Sequence, residues 1–181
     1  VEPPQALVEA CRSGNGVLFL GAGFSTAAAF PNWRQFVTNL MMWGEAAAGI
    51  SSRLMDSLWR AAKEGDFDLV ADGLVSELQG EGKLAAVQEY MRRVFGKVPE
   101  LTPRHLLLRR LPFSAALTTN FDTLLEQTFP DAADRVLTPH EADRLLDCVA
   151  QRQFFIAKLY GSLDRPETLL ISPSQYRDVL A

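Results

Sequence analysis

The chain has 181 residues, 48% apolar and 22% charged, and 22 acidic against 18 basic side chains give a net charge of −4. This length suffices for one domain with a substantial core, and the acidic balance argues against a polyanion held by bulk charge, so no direct nucleic-acid binding is expected. The longest apolar stretches, Val17 to Leu20 and the alanine-rich run after Thr26, are too short to span a bilayer; no signal peptide is legible, and Cys11 and Cys148 fit a reducing, cytoplasmic setting without a four-cysteine zinc site.

Residues 4–13 read as a helix with Leu7, Val8 and Cys11 on one face, stopped by Gly14-Asn15-Gly16. Val17 to Leu20 is a continuous apolar run, expected as a strand buried on both faces. Gly21-Ala22-Gly23 follows at once, and Ser25-Thr26 opens a helix. Residues 33–48 form an amphipathic helical pattern through Trp33, Phe36, Val37, Leu40 and Met41. The pattern stays helical over 51–95, broken near Gly65 and Gly80-Glu81-Gly82, and reads as an insertion of two or three helices. Thr102-Pro103 starts another helix through Leu111. Phe113 to Thr119 reads as a strand, followed by the helix of Leu124, Leu125 and Phe129. Arg135 to Leu137 reads as a short strand, Glu141 to Ala150 as a helix, Phe154 to Tyr160 as a buried strand, Thr168 to Ile171 as a further strand, and Ser174 to Leu180 as a helix. Strands alternating with helices predict an α/β fold: a Rossmann-like, doubly wound, mostly parallel sheet with a helical insertion. One domain is expected over 1–181. The chain opens on Val1 and stops just after a helical pattern, so a fragment, a processed chain or a trimmed one is expected, with the C-terminal side incomplete.

Three segments each follow the C-terminal end of an expected strand: Gly21 to Ser25, Thr118 to Asp122, and Tyr160 to Ser162. In open α/β sheets this edge binds ligands. The first is Gly-x-Gly-x-x-Thr, short of the full dinucleotide fingerprint. Its glycines serve either a tight turn needing positive φ or the close approach of an anion to backbone N–H groups, and the second is preferred.

Gly21-Ala22-Gly23-Phe24-Ser25, Phe30-Pro31-Asn32-Trp33-Arg34, Thr118-Thr119-Asn120-Phe121-Asp122 and Lys158-Leu159-Tyr160-Gly161-Ser162 occur in this order. Together they resemble the sirtuin-like (silent-information-regulator-like) NAD-binding domains, most closely the bacterial branch without a zinc ribbon that hydrolyses NAD in antiphage defence. Residues 103–126 are particularly similar to that branch, and the block 51–95 is the least matched. The resemblance implies NAD as substrate or ligand and no zinc. It assigns Gly21, Ala22, Gly23 and Ser25 to the phosphates and nearby ribose, Phe24 to cofactor binding beside them, and Pro31, Trp33 and Arg34 to the nicotinamide side. Thr119, Gly161 and Ser162 are further cofactor-binding positions. Asn120 matches the asparagine that positions the attacking water or the ribose hydroxyls, and Asp122 the aspartate near the nicotinamide amide. Tyr160 stands where the family has its histidine base. A free phenol titrates near ~10 against ~6.5 for imidazole, so Tyr160 is a poor base that can still hold a ribose hydroxyl. Full-length relatives hold the adenosine end with a later strand and a glycine–serine segment.

The remaining candidates have plainer readings. His105 is expected as a satisfied structural histidine, His140 as a cap or a solvated side chain, Trp43 and Trp59 as core, and the pairs Arg92-Arg93 and Arg109-Arg110 as solvated faces. Asn120 alone could be a helix cap. The expected function is an NAD glycohydrolase that releases nicotinamide and ADP-ribose as a defence effector, switched on by an activating protein or by homo-oligomer formation. The alternatives are an NAD or ADP-ribose sensor or scaffold within a larger protein, a protein deacetylase, and an unrelated nucleotide-binding α/β domain.

Overall fold

The computed structural model describes residues 2–180. Helix α1 (Gln5–Arg12) leads into β1 (Gly16–Leu20), and a single-turn helix α2 (Ala22–Ser25) follows directly. After α3 (Trp33–Trp43) and a wider helical turn over Gly44–Ala48 come α4 (Ser52–Glu64), α5 (Phe67–Gly80) and α6 (Leu84–Phe95). The second half runs α7 (Pro103–Leu108), β2 (Phe113–Thr118), α8 (Leu124–Thr128), β3 (Val136–Leu137), α9 (Ala142–Ala150), β4 (Phe155–Lys158) and α10 (Pro173–Leu180). The four strands form one sheet in the order β1-β2-β4-β3, with every pair parallel. Parallel neighbours need crossover connections, which the intervening helices supply.

The helix starts carry the expected chemistry. Asn32 and Gln35 form a reciprocal capping box at α3, each side chain satisfying the other's backbone N–H at 2.9 Å. Ser51 caps α4, which ends on Gly65 at φ 88°, and Asp66 caps α5 at once. The block α4–α6 shares its core with α3 and with the loops beyond the strands: Phe36, Leu40, Leu74, Met91 and Phe95 pack in one cluster with Phe121 and Ile171. That shared core holds the helical block over the C-terminal edge of the sheet.

Two expectations are corrected. Thr168 to Ile171 is no strand. Pro166–Thr168 is a 3₁₀ turn, and Leu169 to Ile171 follow as irregular backbone. Their apolar side chains are buried by packing, and the backbone is held by single bonds, such as Leu170 N–H to the Tyr160 carbonyl at 3.0 Å. Nor is β1 buried on both faces, since Val17 and Phe19 are 57% and 60% exposed. They register with Ala115 and Leu117, on the face where Leu145 and Cys148 of α9 cover the other strands but do not reach β1.

Candidate functional site

Beyond the C-terminal ends of β1, β2 and β4, facing the helical block, lies a cavity of about 220 Å³. Of the residues singled out in the sequence, Ala22, Ser25, Pro31, Trp33, Thr119, Asn120, Asp122 and Tyr160 line it. Gly23 and Arg34 line an adjoining open depression that also touches Ala22 and Trp33. Phe24 lies elsewhere, with its ring edge-on to His105 at 4.5 Å.

The two loop glycines are not turn devices. Gly21 has an ordinary extended backbone at φ −110°, and Gly23 lies within α2. A Cβ at Gly23 would meet no protein atom within 4 Å, so the space before the loop is open. Gly161 is the opposite case. It has φ 83°, and a Cβ there would sit 2.1 Å from the Thr168 carbonyl oxygen. The glycine therefore lets two backbone segments meet. Ser162 is buried, with its N–H on Thr168 Oγ1 at 3.1 Å. Gly161 and Ser162 thus shape the wall behind Tyr160 and do not line the cavity.

At the cavity floor three side chains far apart in sequence join. Ser25 Oγ–H donates to Asp122 Oδ2 at 2.7 Å, and Asn120 Nδ2 donates to Ser25 Oγ at 2.8 Å. Because the single hydroxyl hydrogen of Ser25 goes to the carboxylate, Ser25 can only accept from Asn120. This fixes the amide with its nitrogen toward Ser25. Asn120 Oδ1 is then left buried with no protein partner. Such a buried acceptor is costly unless something donates to it. Asp122 is 4% exposed, and its other oxygen accepts the Leu124 N–H at 3.0 Å. Thr118 Oγ1 pins the loop by donating to the Leu20 carbonyl at 2.8 Å and accepting the Asn120 N–H at 3.0 Å.

Beneath this loop lies Lys158, the last residue of β4, only 1% exposed. Its ammonium donates to Glu126 Oε1 at 2.7 Å and to the carbonyls of Asp122 at 2.8 Å and Phe121 at 3.2 Å. One buried cation thereby fastens β4, the 120–122 loop and α8 together.

His105 is fully buried, and among protein atoms only its Nδ1 has a partner. Nδ1 accepts the Thr102 N–H at 3.1 Å, so in the neutral ring the hydrogen sits on Nε2, which has no protein partner. Burial pushes the imidazole pKa down, and the Asp122 charge opposes it only in part. His105, Ser25, Asn120 and Asp122 surround a second cavity of about 10 Å³, room for one water. Asn120 borders both cavities.

Tyr160 packs edge-on to Tyr176 at 5.2 Å and against Phe121 at 6.4 Å. Burial, and then the charge of Asp68, push its phenol pKa above the usual value. The Tyr160 phenol is therefore neutral at physiological pH.

Residues 114–181, which carry β2, the 118–122 loop, β4 and the Tyr160 turn, match the family model of the SIR2-like domain. Over that segment the chain is similar to SIR2-like domains. It is 26% identical to the NAD(+) hydrolase ThsA of Acinetobacter baumannii over 94% of this chain and 32% of that protein. It is 23% identical to the proteins of the same name from Enterococcus faecium, over 93% of this chain, and Bacillus cereus, over 90%. The chain spans about a third of the length of these relatives, 32% and 31% for the latter two.

The sequence reading did not single out Asp68, Phe36, Phe95, Ile171 and Ser172, all of which line the cavity. None carries a motif, because they reach the site through tertiary packing. Lys158 stands in the Lys158 to Ser162 motif, and the resemblance implies no role for it. A lysine ending an otherwise apolar strand run is a signal that a buried cation needs a partner.

Among the described residues there is no group of three or more His, Cys, Asp or Glu placed to hold a metal ion, and no helix long and apolar enough to cross a membrane.

Proposed function

We propose that this domain cleaves the bond between nicotinamide and ribose C1′ of NAD and adds water at C1′, releasing nicotinamide, ADP-ribose and a proton. The observation that carries this reading is the Asn120–Ser25–Asp122 relay, which leaves Asn120 Oδ1 as an oriented, unpaired acceptor. That oxygen suits a ribose hydroxyl or the attacking water. Departure of nicotinamide leaves an oxocarbenium-like sugar, so much of the work is positioning and electrostatics. On this reading Asp122 serves the carboxamide end, Pro31 and Trp33 wall that side, and the open backbone at Gly23 suits the phosphates. Four relatives named NAD(+) hydrolase support the substrate and the reaction. On this reading the domain is an effector of antiphage defence in the bacterial cytoplasm, acting as a homo-oligomer or with an activating partner.

A second reading rests on Tyr160. With a neutral phenol in place of an imidazole base, the domain binds NAD or ADP-ribose as a sensor and turns it over slowly or not at all. Nicotinamide release measured beside calorimetric NAD binding separates the two, since a sensor binds without release. The hydrolase reading also fixes the effect of Tyr160→Phe. Loss of one hydrogen bond to a ribose hydroxyl raises KM roughly three- to tenfold and leaves kcat nearly unchanged. A collapse of kcat would instead make the phenol part of the chemical step.

A further inference from the structure

The cavity's electrostatic character is one-sided. Its lining holds two carboxylates, Asp68 and Asp122, and the rings of Trp33, Phe36, Phe95, Phe121 and Tyr160, and no lysine, arginine or histidine. The nearest cations serve elsewhere. Lys158 is below the floor on Glu126, and the Arg34 guanidinium lies over the Phe67 ring at 5.0 Å in the adjoining depression. Aromatic faces beside carboxylates favour a cation.

Of the two carboxylates, Asp122 is spent on Ser25 and the Leu124 N–H. Asp68 is not spent in this way. It stands in the first turn of α5, at the positive end of the helix dipole. The Trp33 indole N–H donates to its Oδ1 at 3.2 Å, which aims the carboxylate along the cavity wall. Its charge is felt at Tyr160 across the cavity.

We propose that Asp68, supplied by the helical block, is a specificity-determining residue that selects the oxidised, cationic pyridinium of NAD over neutral ligands. This rests on the nucleotide reading above and adds a discriminating group to it. An exposed carboxylate beside a cation contributes modestly while water screens it, and a preference of roughly five- to tenfold is expected from this one charge.

The test compares wild type and Asp68→Asn by calorimetry with three probes: the hydrolysis-resistant carbocyclic analogue of NAD, which keeps the pyridinium; NADH, whose ring is neutral; and ADP-ribose, which has no ring. The asparagine retains an acceptor for Trp33 and removes only the charge. The expected result is a roughly five- to tenfold loss of affinity for the cationic analogue, with NADH and ADP-ribose binding unchanged. Equal weakening of all three probes, or no change in any, would overturn the assignment. If wild type binds none of the three, the nucleotide reading itself falls and this one with it. Binding of ADP-ribose without discrimination between NADH and the cationic analogue would remove Asp68 alone.

Discussion

Lys158→Met is expected to lower the unfolding free energy by about 3–5 kcal/mol, the usual cost of removing one partner from a buried ion pair. The methionine fills the volume, so little of the loss is cavity. The loss comes from Glu126, left with an uncompensated charge, and from the carbonyls of Phe121 and Asp122, left without their donor. Denaturant unfolding of the single variant, followed by the double variant Lys158→Met/Glu126→Leu, separates these causes. The double variant should recover much of the lost stability, because replacing both members of a buried pair with apolar groups is often near neutral. A loss below about 1 kcal/mol for the single variant would mean that Lys158 behaves like a surface pair. The same change should also loosen the loop that carries Asn120, so affinity for NAD should fall in the variant even where it remains folded.

The second large effect is expected at Ser25. Ser25→Ala removes the donor to Asp122 and the acceptor for Asn120 together. The carboxylate keeps the Leu124 N–H, but the Asn120 amide loses the contact that fixes which of its ends faces the cavity. Turnover should fall about 10²-fold, the usual consequence of a small misplacement in a positioned site. Stability should change by only about 1–3 kcal/mol, the cost of one broken buried hydrogen-bonding group. Single-turnover nicotinamide release and denaturant unfolding check the two parts. A rise in KM with kcat intact would show that Ser25 only binds and does not orient Asn120.

Most of the architecture was legible because apolar periodicity and punctuation agreed. The Gly14-Asn15 turn before β1, Thr102-Pro103 before α7 and the glycine breaks within the 51–95 block all mark real boundaries. The failures have physical causes. Leu169 to Ile171 is apolar because it is buried beside Gly161, and burial without a ladder partner looks like a strand in sequence. Val17 and Phe19 looked like core because an apolar run does not reveal whether a helix covers one of its faces.

At the site, Ser25, Asn120 and Asp122 were found through their order beyond the strands, and their bonding to one another is a property of the fold alone. Gly161 and Ser162 belong to the right turn but act through the backbone behind Tyr160. Asp68 was missed, and His105 was read only as a structural histidine, for the same reason. Each is an ordinary helix residue until tertiary packing directs Asp68 at the large cavity and the His105 Nε2 at the small one.

The most direct measurement is nicotinamide release from NAD by the wild-type chain and by Asn120→Ala, with binding of NAD to both followed by calorimetry. The account predicts release by wild type and its loss in Asn120→Ala, in which NAD binding survives, because the variant removes the one unpaired acceptor the relay presents. Release by Asn120→Ala at the wild-type rate would contradict it.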